Sequence, residues 1–174
     1  MNQPLSPDLR VDPQSLREAD PAELAWAVIA PAYDAVSFYD GPEALAESMR
    51  ALTPGQRALL ALHWCVAEVS NGGFDGFFTN PSGLLATEAV EGFRRIGATE
   101  AADLVARALE VFAERPPTGE PENPEFDEYE DAVAFDAYDE RYDPLQERFF
   151  ALLDAEIYPK AAAYVRGHPD QFVR

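Results

Sequence analysis

Residues 63–83 read HWCVAEVSNGGFDGFFTNPSG, and this stretch decides how the chain folds. An almost wholly apolar helical run ends at Asn71, and the two adjacent glycines that follow permit positive φ and close approach of the backbone. Phe74, Phe77 and Phe78 come next, at a spacing that places them on one face of a helical turn. The pattern predicts a helix end followed by an aromatic turn packed onto the core. A ligand-binding turn is the alternative, although Asp75 is its sole titratable residue.

The starts of several helices can be predicted because proline repeatedly follows a capping residue. Four pairs of this kind predict helix starts: Asp12-Pro13, Asp20-Pro21, Thr53-Pro54 and Asp143-Pro144. Thr53 and Gln56 also have the spacing of a capping box. The helix that Thr53 opens, over about 54–70, is apolar nearly all round, so we expect it at the centre of the fold with Trp64 in the core.

Two further helices have 3.6-residue periodicity and form a predicted hairpin. The first begins at Ser82 and stops at Gly97, and the second begins with Thr99 as its cap and ends before Pro116. Near the C-terminus we expect a helix from Asp143 to about Tyr158, a break or kink at Pro159 and a last helix to Gly167. No alternating run predicts a strand.

The predicted fold class is therefore all-α, a single compact multi-helix domain with an acidic linker/helix region before the C-terminal helices. We expect residues 1–12 to form a flexible N-terminal arm and residues 13–174 to form the domain.

Charge is the second strong feature, since 13 Lys+Arg stand against 32 Asp+Glu for a formal charge of −19. Residues 116–143, called the acidic segment below, are rich in acidic and aromatic residues. Eleven acidic residues lie between positions 120 and 143, against Arg141 alone. Interleaved aromatics favour a short helix over about 125–140, with rings inward and carboxylates outward. Such a surface repels nucleic acid and anionic membranes and attracts basic proteins.

The chain offers few groups for catalysis or metal binding. Its two histidines are separated in sequence, and Cys65 is alone in an apolar helix. His63 fits a core or interface histidine, and His168 fits a helix cap or a surface residue. We expect Glu68 to accept hydrogen bonds from free N–H groups of the glycine turn. We predict no enzyme, no cofactor and no metal site, and a cytoplasmic location, since no signal or membrane span is visible.

The central stretch resembles the signature of a largely uncharacterised bacterial domain family that includes a DNA-mimic protein. The resemblance continues in residues 52–56, 96–98, 152–158 and 164–172 and covers roughly 20–174. Ser70 stands where the family has an asparagine, and Asp75-Gly76 occupies a spacer that is usually bulkier. The motif residues, to which we assign a structural role, are Glu68, Asn71, Gly72, Gly73, Phe74, Phe77, Phe78, Asn80 and Gly83.

The resemblance implies an acidic protein-interaction domain, and its most specific form is a DNA mimic that binds a basic DNA-binding protein in competition with DNA. The acidic surface assigned to that partner comprises Glu125, Asp127, Glu128, Glu130, Asp131, Asp136, Asp139 and Glu140. One alternative is a plain interaction or immunity-type module whose acidic surface is incidental. A second is a small-molecule binder at the Asn-Gly-Gly-Phe turn. We expect no direct binding to nucleic acid or membrane, and the sequence is compatible with a homodimer.

Overall fold

The computed structural model describes residues 10–12, 14, 20–33, 35–114 and 140–173. Its α-helices are α1 Pro21–Tyr33, α2 Pro42–Met49, α3 Pro54–Thr79, α4 Ala86–Arg95, α5 Thr99–Ala113, α6 Asp143–Leu152 and α7 Tyr158–Gly167. Short 3₁₀ turns span Pro81–Leu85 and Pro169–Gln171, and a π turn, Leu153–Ile157, joins α6 to α7. Within these ranges the sole β pairing is an isolated bridge between Val11 and Val173. The predicted all-α class is confirmed.

Helix α3 is the centre of the molecule, as its apolar sequence predicts. It packs most extensively against α4 and also contacts α1, α5 and α6. Leu59, Leu60 and Cys65 are almost wholly buried within it. Trp64 differs from the prediction, because it is only partly buried. Its ring stacks on Tyr33 of α1 at a centroid distance of 5.1 Å, and Tyr33 is itself half-buried.

The α4–α5 hairpin forms as predicted, but its helix starts are shifted. Residues from Ser82 to Leu85 form a 3₁₀ turn, and the α-helix begins at Ala86. Thr99 is not a cap: it is the first residue of α5, and no side-chain hydrogen bond caps that helix. At Gly97, with φ of 83°, the Ala98 N–H donates to the Phe93 carbonyl at 2.8 Å. This Schellman turn leads directly into α5 without a side-chain cap.

The C-terminal helices also depart from the prediction in detail. Helix α6 ends at Leu152, earlier than expected, and Pro159 lies in the first turn of α7 rather than at a break. The π turn between the two helices has no counterpart in the predicted elements. Asp143 is the first residue of α6 and makes no capping hydrogen bond, so its predicted cap role is wrong.

The C-terminal residues close over the start of α3. Phe172 is fully buried, and a Cβ on Gly55 would lie 2.7 Å from its ring. The side-chain oxygen of Gln171 accepts the Gly55 N–H at 2.8 Å, and the Thr53 hydroxyl donates to the Gln171 carbonyl at 2.9 Å. Val11, placed in the predicted arm, is buried and donates its N–H to the Phe172 carbonyl at 2.7 Å. Residues 1–9 lie outside the described residues.

Thr53→Ala should therefore lower the free energy of unfolding by about 1–2 kcal/mol. The substitution removes one half of a complete capping box and the hydrogen bond to Gln171. Thr99→Ala is the matched control and should change stability by less than about 0.5 kcal/mol, because Thr99 is exposed and caps nothing. Urea unfolding of both variants measures the difference, and equal losses would contradict the assignment of the two threonines.

Candidate functional site

The family motif of the sequence surrounds a break in the middle of α3. Gly73 has φ of 69° and ψ of −176°, which no helix interior contains. In an unbroken helix the Phe74 N–H would donate to the carbonyl of Ser70. Here it donates to the side-chain oxygen of Gln146 on α6, at 2.9 Å. The predicted helix end at the glycine pair is present as this break, and helical geometry resumes after Gly73 and continues through the aromatic turn to Thr79.

Residue 73 must be glycine for two separate reasons. Its φ lies in the left-handed region, which side chains with a Cβ adopt at a cost. A Cβ there would also clash with the Gln146 side-chain oxygen, the acceptor that satisfies Phe74. Gly72, by contrast, has no positive φ, and a Cβ placed on it would meet no atom within 4 Å.

The aromatic turn after the break is fixed in the core. Phe74 and Phe77 are fully buried and Phe78 nearly so, as their spacing predicts. The Phe74 ring meets Phe149 of α6 at a centroid distance of 5.4 Å, and Phe78 meets Phe112 of α5 at 5.3 Å. The turn therefore joins α3 to both of the helices that border the acidic segment.

The polar motif residues tie the two sides of the break together. The Asn80 side-chain amide donates to Glu68 Oε2 at 2.7 Å, over twelve residues of chain. The expected partner of Glu68 was a backbone N–H of the turn, but the Phe74 N–H is taken by Gln146. Gly83 is required where the chain reverses, since a Cβ would lie 2.6 Å from the Phe78 carbonyl oxygen.

An open groove of about 490 Å³ lies beside the break, between α3 and α6. The motif side contributes Ser70, Asn71 and Asp75, and α6 contributes Asp143 and Phe150. Phe150 is 42% exposed, an unusual value among the phenylalanines that the structure describes. The groove is polar and acidic, so its chemistry suits a polar or cationic group more than an apolar ligand.

The motif also lies beside the C-terminal end of the acidic segment, a contact that the sequence does not predict. Tyr142 is 2% exposed, and its ring lies 6.2 Å from that of Phe74. Arg141 forms an ion pair with Glu114, just beyond the end of α5, at 2.8 Å. Of the acidic residues assigned to a partner, Glu140 is described and exposed. The other seven lie outside the described residues: Glu125, Asp127, Glu128, Glu130, Asp131, Asp136 and Asp139.

A family model with the description DMP19-like protein matches residues 50–168 of the chain. The chain belongs to the DMP19-like family. The match spans the broken helix, the acidic segment and all of α7, so the resemblance seen in the motif is confirmed. At the level of the family it supports a protein-interaction domain of the DNA-mimic type. No curated protein and no solved structure matched the chain.

The candidate metal-binding and nucleophilic side chains of this DMP19-like domain lie only in part within the described residues. Those residues hold no group of three His, Cys, Asp or Glu side chains that could bind a metal ion. Cys65 is fully buried, and burial raises the pKa of its thiol. His168 caps α7 with its ring against Tyr164, in keeping with a surface role. No helix in the described ranges is long and apolar enough to cross a membrane.

His63 lies in an aromatic cluster on the α1–α3 contact. Its ring is 4.7 Å from that of Trp26 and 6.1 Å from that of Tyr33. Burial lowers the pKa of the His63 imidazole below its usual value, because the charged form loses hydration there. The cluster therefore favours the neutral form of His63, consistent with a packing histidine.

Gly73→Ala should reduce the free energy of unfolding by at least about 1 kcal/mol, because it combines left-handed strain with a clash at Gln146. Gly72→Ala is the adjacent control. It should be neutral or stabilising by about 0.5–1 kcal/mol, since alanine is the better helix former and meets no neighbour. Chemical denaturation distinguishes the two, and effects of the same sign would refute the described break.

Stability should fall as the pH is lowered below about 6.5, in part because of His63. Its folded-state pKa is depressed, so below about 6.5 the unfolded chain binds the proton more readily. The loss continues until the pH reaches the lower pKa of the folded state. His63→Phe keeps a ring and should flatten this part of the pH profile of the unfolding free energy. His168→Phe, at an exposed site, serves as the control, and identical profiles for the two variants would contradict the burial of His63.

Proposed function

We propose that this protein binds a basic surface of a DNA-binding protein in competition with DNA, with the acidic segment as its contact surface. Membership of the DMP19-like family supports the class of function. The formal charge of −19 supports the kind of partner, because it attracts Lys and Arg clusters and repels nucleic acid. The proposal assigns no catalytic step to the chain and places it in the cytoplasm, where such partners act.

The strongest structural support for this proposal is the Arg141–Glu114 ion pair. Arg141 is the sole cation between residues 120 and 143, and it is held at 2.8 Å from a carboxylate at the end of α5. Residues 120–140 contain ten acidic residues and no Lys or Arg, so no cation within that stretch neutralises them. The stretch therefore contains no compensating charge of its own, which suits a basic partner.

The same ion pair also connects the two ends of the acidic segment. It joins the point where the chain leaves α5 to the point where it returns to α6. Buried Tyr142 and the motif residue Phe74 hold the return point against the core. A charged surface with both ends anchored loses less conformational freedom on binding than a free tail, and this favours recognition of one partner.

Carboxylate spacing supplies the link to DNA. Acids at i and i+4 of a helix are separated by about 6 Å along its axis. This equals roughly one to two phosphates of a DNA strand, which rise by about 3.4 Å each. If the predicted helix over about 125–140 forms, Asp136 and Glu140 have this relation, and Glu125, Glu128 and Asp131 follow one another at steps of three residues, about 4.5 Å each. A Lys and Arg array made for phosphates could then meet carboxylates at comparable intervals.

The decisive experiment begins with the immobilised protein in a lysate of its own source. Bound proteins are eluted in parallel with NaCl and with duplex DNA at the ionic strength of the binding buffer. A partner released by both is purified, and its association is followed by stopped flow. Charge reversal of Glu128, Asp131 and Asp139 together should slow association by roughly tenfold or more and change dissociation less, since long-range attraction acts mainly on the encounter.

A matched triple variant reverses Glu43, Asp154 and Asp170, three exposed carboxylates outside the acidic segment. It alters the net charge by the same amount, so it should slow association less if the segment is the contact surface. Equal effects would show that net charge alone matters. A partner whose affinity is insensitive to salt and to DNA would overturn the proposal and favour the plain interaction module.

A further inference from the structure

A second groove, of about 580 Å³, lies away from the acidic segment, between α2, the first turn of α3 and α4. Its apolar wall is formed by Leu45 and Met49 of α2 with Ala58 and Leu85, all of them buried. Leu84 adds an apolar side chain that is 43% exposed. This volume falls in the range of small-molecule sites, about 300–1,000 Å³.

Close backbone packing closes one side of this groove. A Cβ on Gly92 of α4 would lie 2.8 Å from the Ala58 carbonyl oxygen of α3, so the two helices touch there. The turn at Pro81–Leu85 reverses the chain between α3 and α4, so the two helices pack antiparallel. The end of α4 therefore lies beside the start of α3. Arg57 and Arg95 therefore lie at the same end of the groove.

The guanidinium groups of these two arginines have no hydrogen bond or ion pair with another described residue. Arg50, Arg94, Arg141, Arg148 and Lys160 have acidic partners. Arg107 and Arg166 also lack one among the described residues, but Arg57 and Arg95 differ from them because they line the same groove beside an apolar wall. Arg57 is also partly buried, so part of its hydration is lost, and it forms no ion pair with a described carboxylate, Glu88 and Glu91 of the same groove included. Two such guanidinium groups beside an apolar wall are complementary to a ligand with an anionic head and an apolar body.

We propose that this groove binds an amphipathic carboxylate, with its head on Arg57 and Arg95 and its chain on Leu45, Met49 and Leu85. Guanidinium groups bind carboxylates through paired hydrogen bonds, and the buried apolar wall supplies affinity for the chain. This function goes beyond the interaction with a basic protein and uses none of the acidic segment.

Two glutamates in the same groove set the orientation and the charge of the ligand. Glu91 and Glu88 precede Arg95 on the same face of α4, by roughly 6 Å and 10 Å along the axis. They repel an anionic head from the middle of the groove and leave the arginine end as its place. They also disfavour a doubly charged phosphate head relative to a carboxylate.

Titration of the full-length ¹⁵N-labelled protein with sodium octanoate tests the proposal. Amide shifts should be confined to α2, the first turn of α3 and α4. Hexanoate should bind more weakly, by roughly fourfold for each missing methylene group. Octylammonium has the same chain with the opposite charge and should bind at least about tenfold more weakly at this groove. Shifts spread over the whole molecule, or equal binding of octanoate and octylammonium, would overturn the assignment.

Paired variants separate the head and chain contacts from general effects. Arg57→Gln with Arg95→Gln should weaken octanoate binding roughly tenfold, whereas Arg107→Gln with Arg166→Gln, at exposed sites elsewhere, should not. Leu84→Asn should weaken it severalfold, and Phe150→Asn, at a side chain of nearly equal exposure, should leave it unchanged. All of these positions are at least partly exposed, so folding is expected to survive. Wild-type affinity in the Arg57 and Arg95 double variant would refute the proposed head site.

Discussion

The hydrogen bond from the Phe74 N–H to the Gln146 side-chain oxygen is the interaction on which the rest of this structure depends. The non-helical geometry at Gly73 interrupts the backbone ladder of the central helix inside the core. A buried backbone donor without an acceptor would cost about 1–3 kcal/mol, so the break is tolerable only with a substitute acceptor. Gln146 supplies it from α6, and the position of α6 is thereby tied to the break. Tyr142, one turn before Gln146, then lies against Phe74 and holds the end of the acidic segment.

The break in α3 explains the structural role of most residues of the family motif. Gly73 allows the change of direction, Asn80 donates to Glu68 over the break, and Gly83 lets the chain reverse against the Phe78 carbonyl. Each of these positions needs a particular conformation, donor or lack of side chain. Asn71 is different, because it is exposed and no described contact accounts for its place in the motif. It lines the groove beside the break, where its side chain is accessible to a ligand or a partner.

Local patterns in the sequence predicted much of the helical fold. Periodicity located α4 and α5, and a capping signal with a continuous apolar sequence located α3, where the Thr53–Gln56 capping box is present as its spacing indicates. The pattern of residues 63–83 also predicted the helix end and the aromatic turn after it, but not the acceptor of the Phe74 N–H, because Gln146 lies 72 residues away. Local signals also misplaced the start of α5, since the Gly97 turn makes a threonine cap unnecessary. The π turn after α6 has no sequence signature of comparable strength. The candidate site also combines local features with contacts between distant residues. Composition identified the acidic segment, but the Arg141–Glu114 ion pair could not be predicted, because it depends on the packing of α5 near α6.

The two proposed sites use opposite charges over different ranges, and this allows one chain to contain both. The carboxylates of the acidic segment together attract a basic surface before contact, over a range set by the Debye length of about 8 Å at physiological salt. The groove with Arg57 and Arg95 is formed by the antiparallel packing of α3 and α4, which brings together two residues 38 positions apart. These arginines attract an anion only at short range, because the net charge of −19 opposes its approach. An anionic ligand must therefore gain affinity from its apolar chain against Leu45, Met49 and Leu85. Inorganic anions lack that contribution, so the groove should discriminate against them even though both of its arginines lack an acidic partner among the described residues.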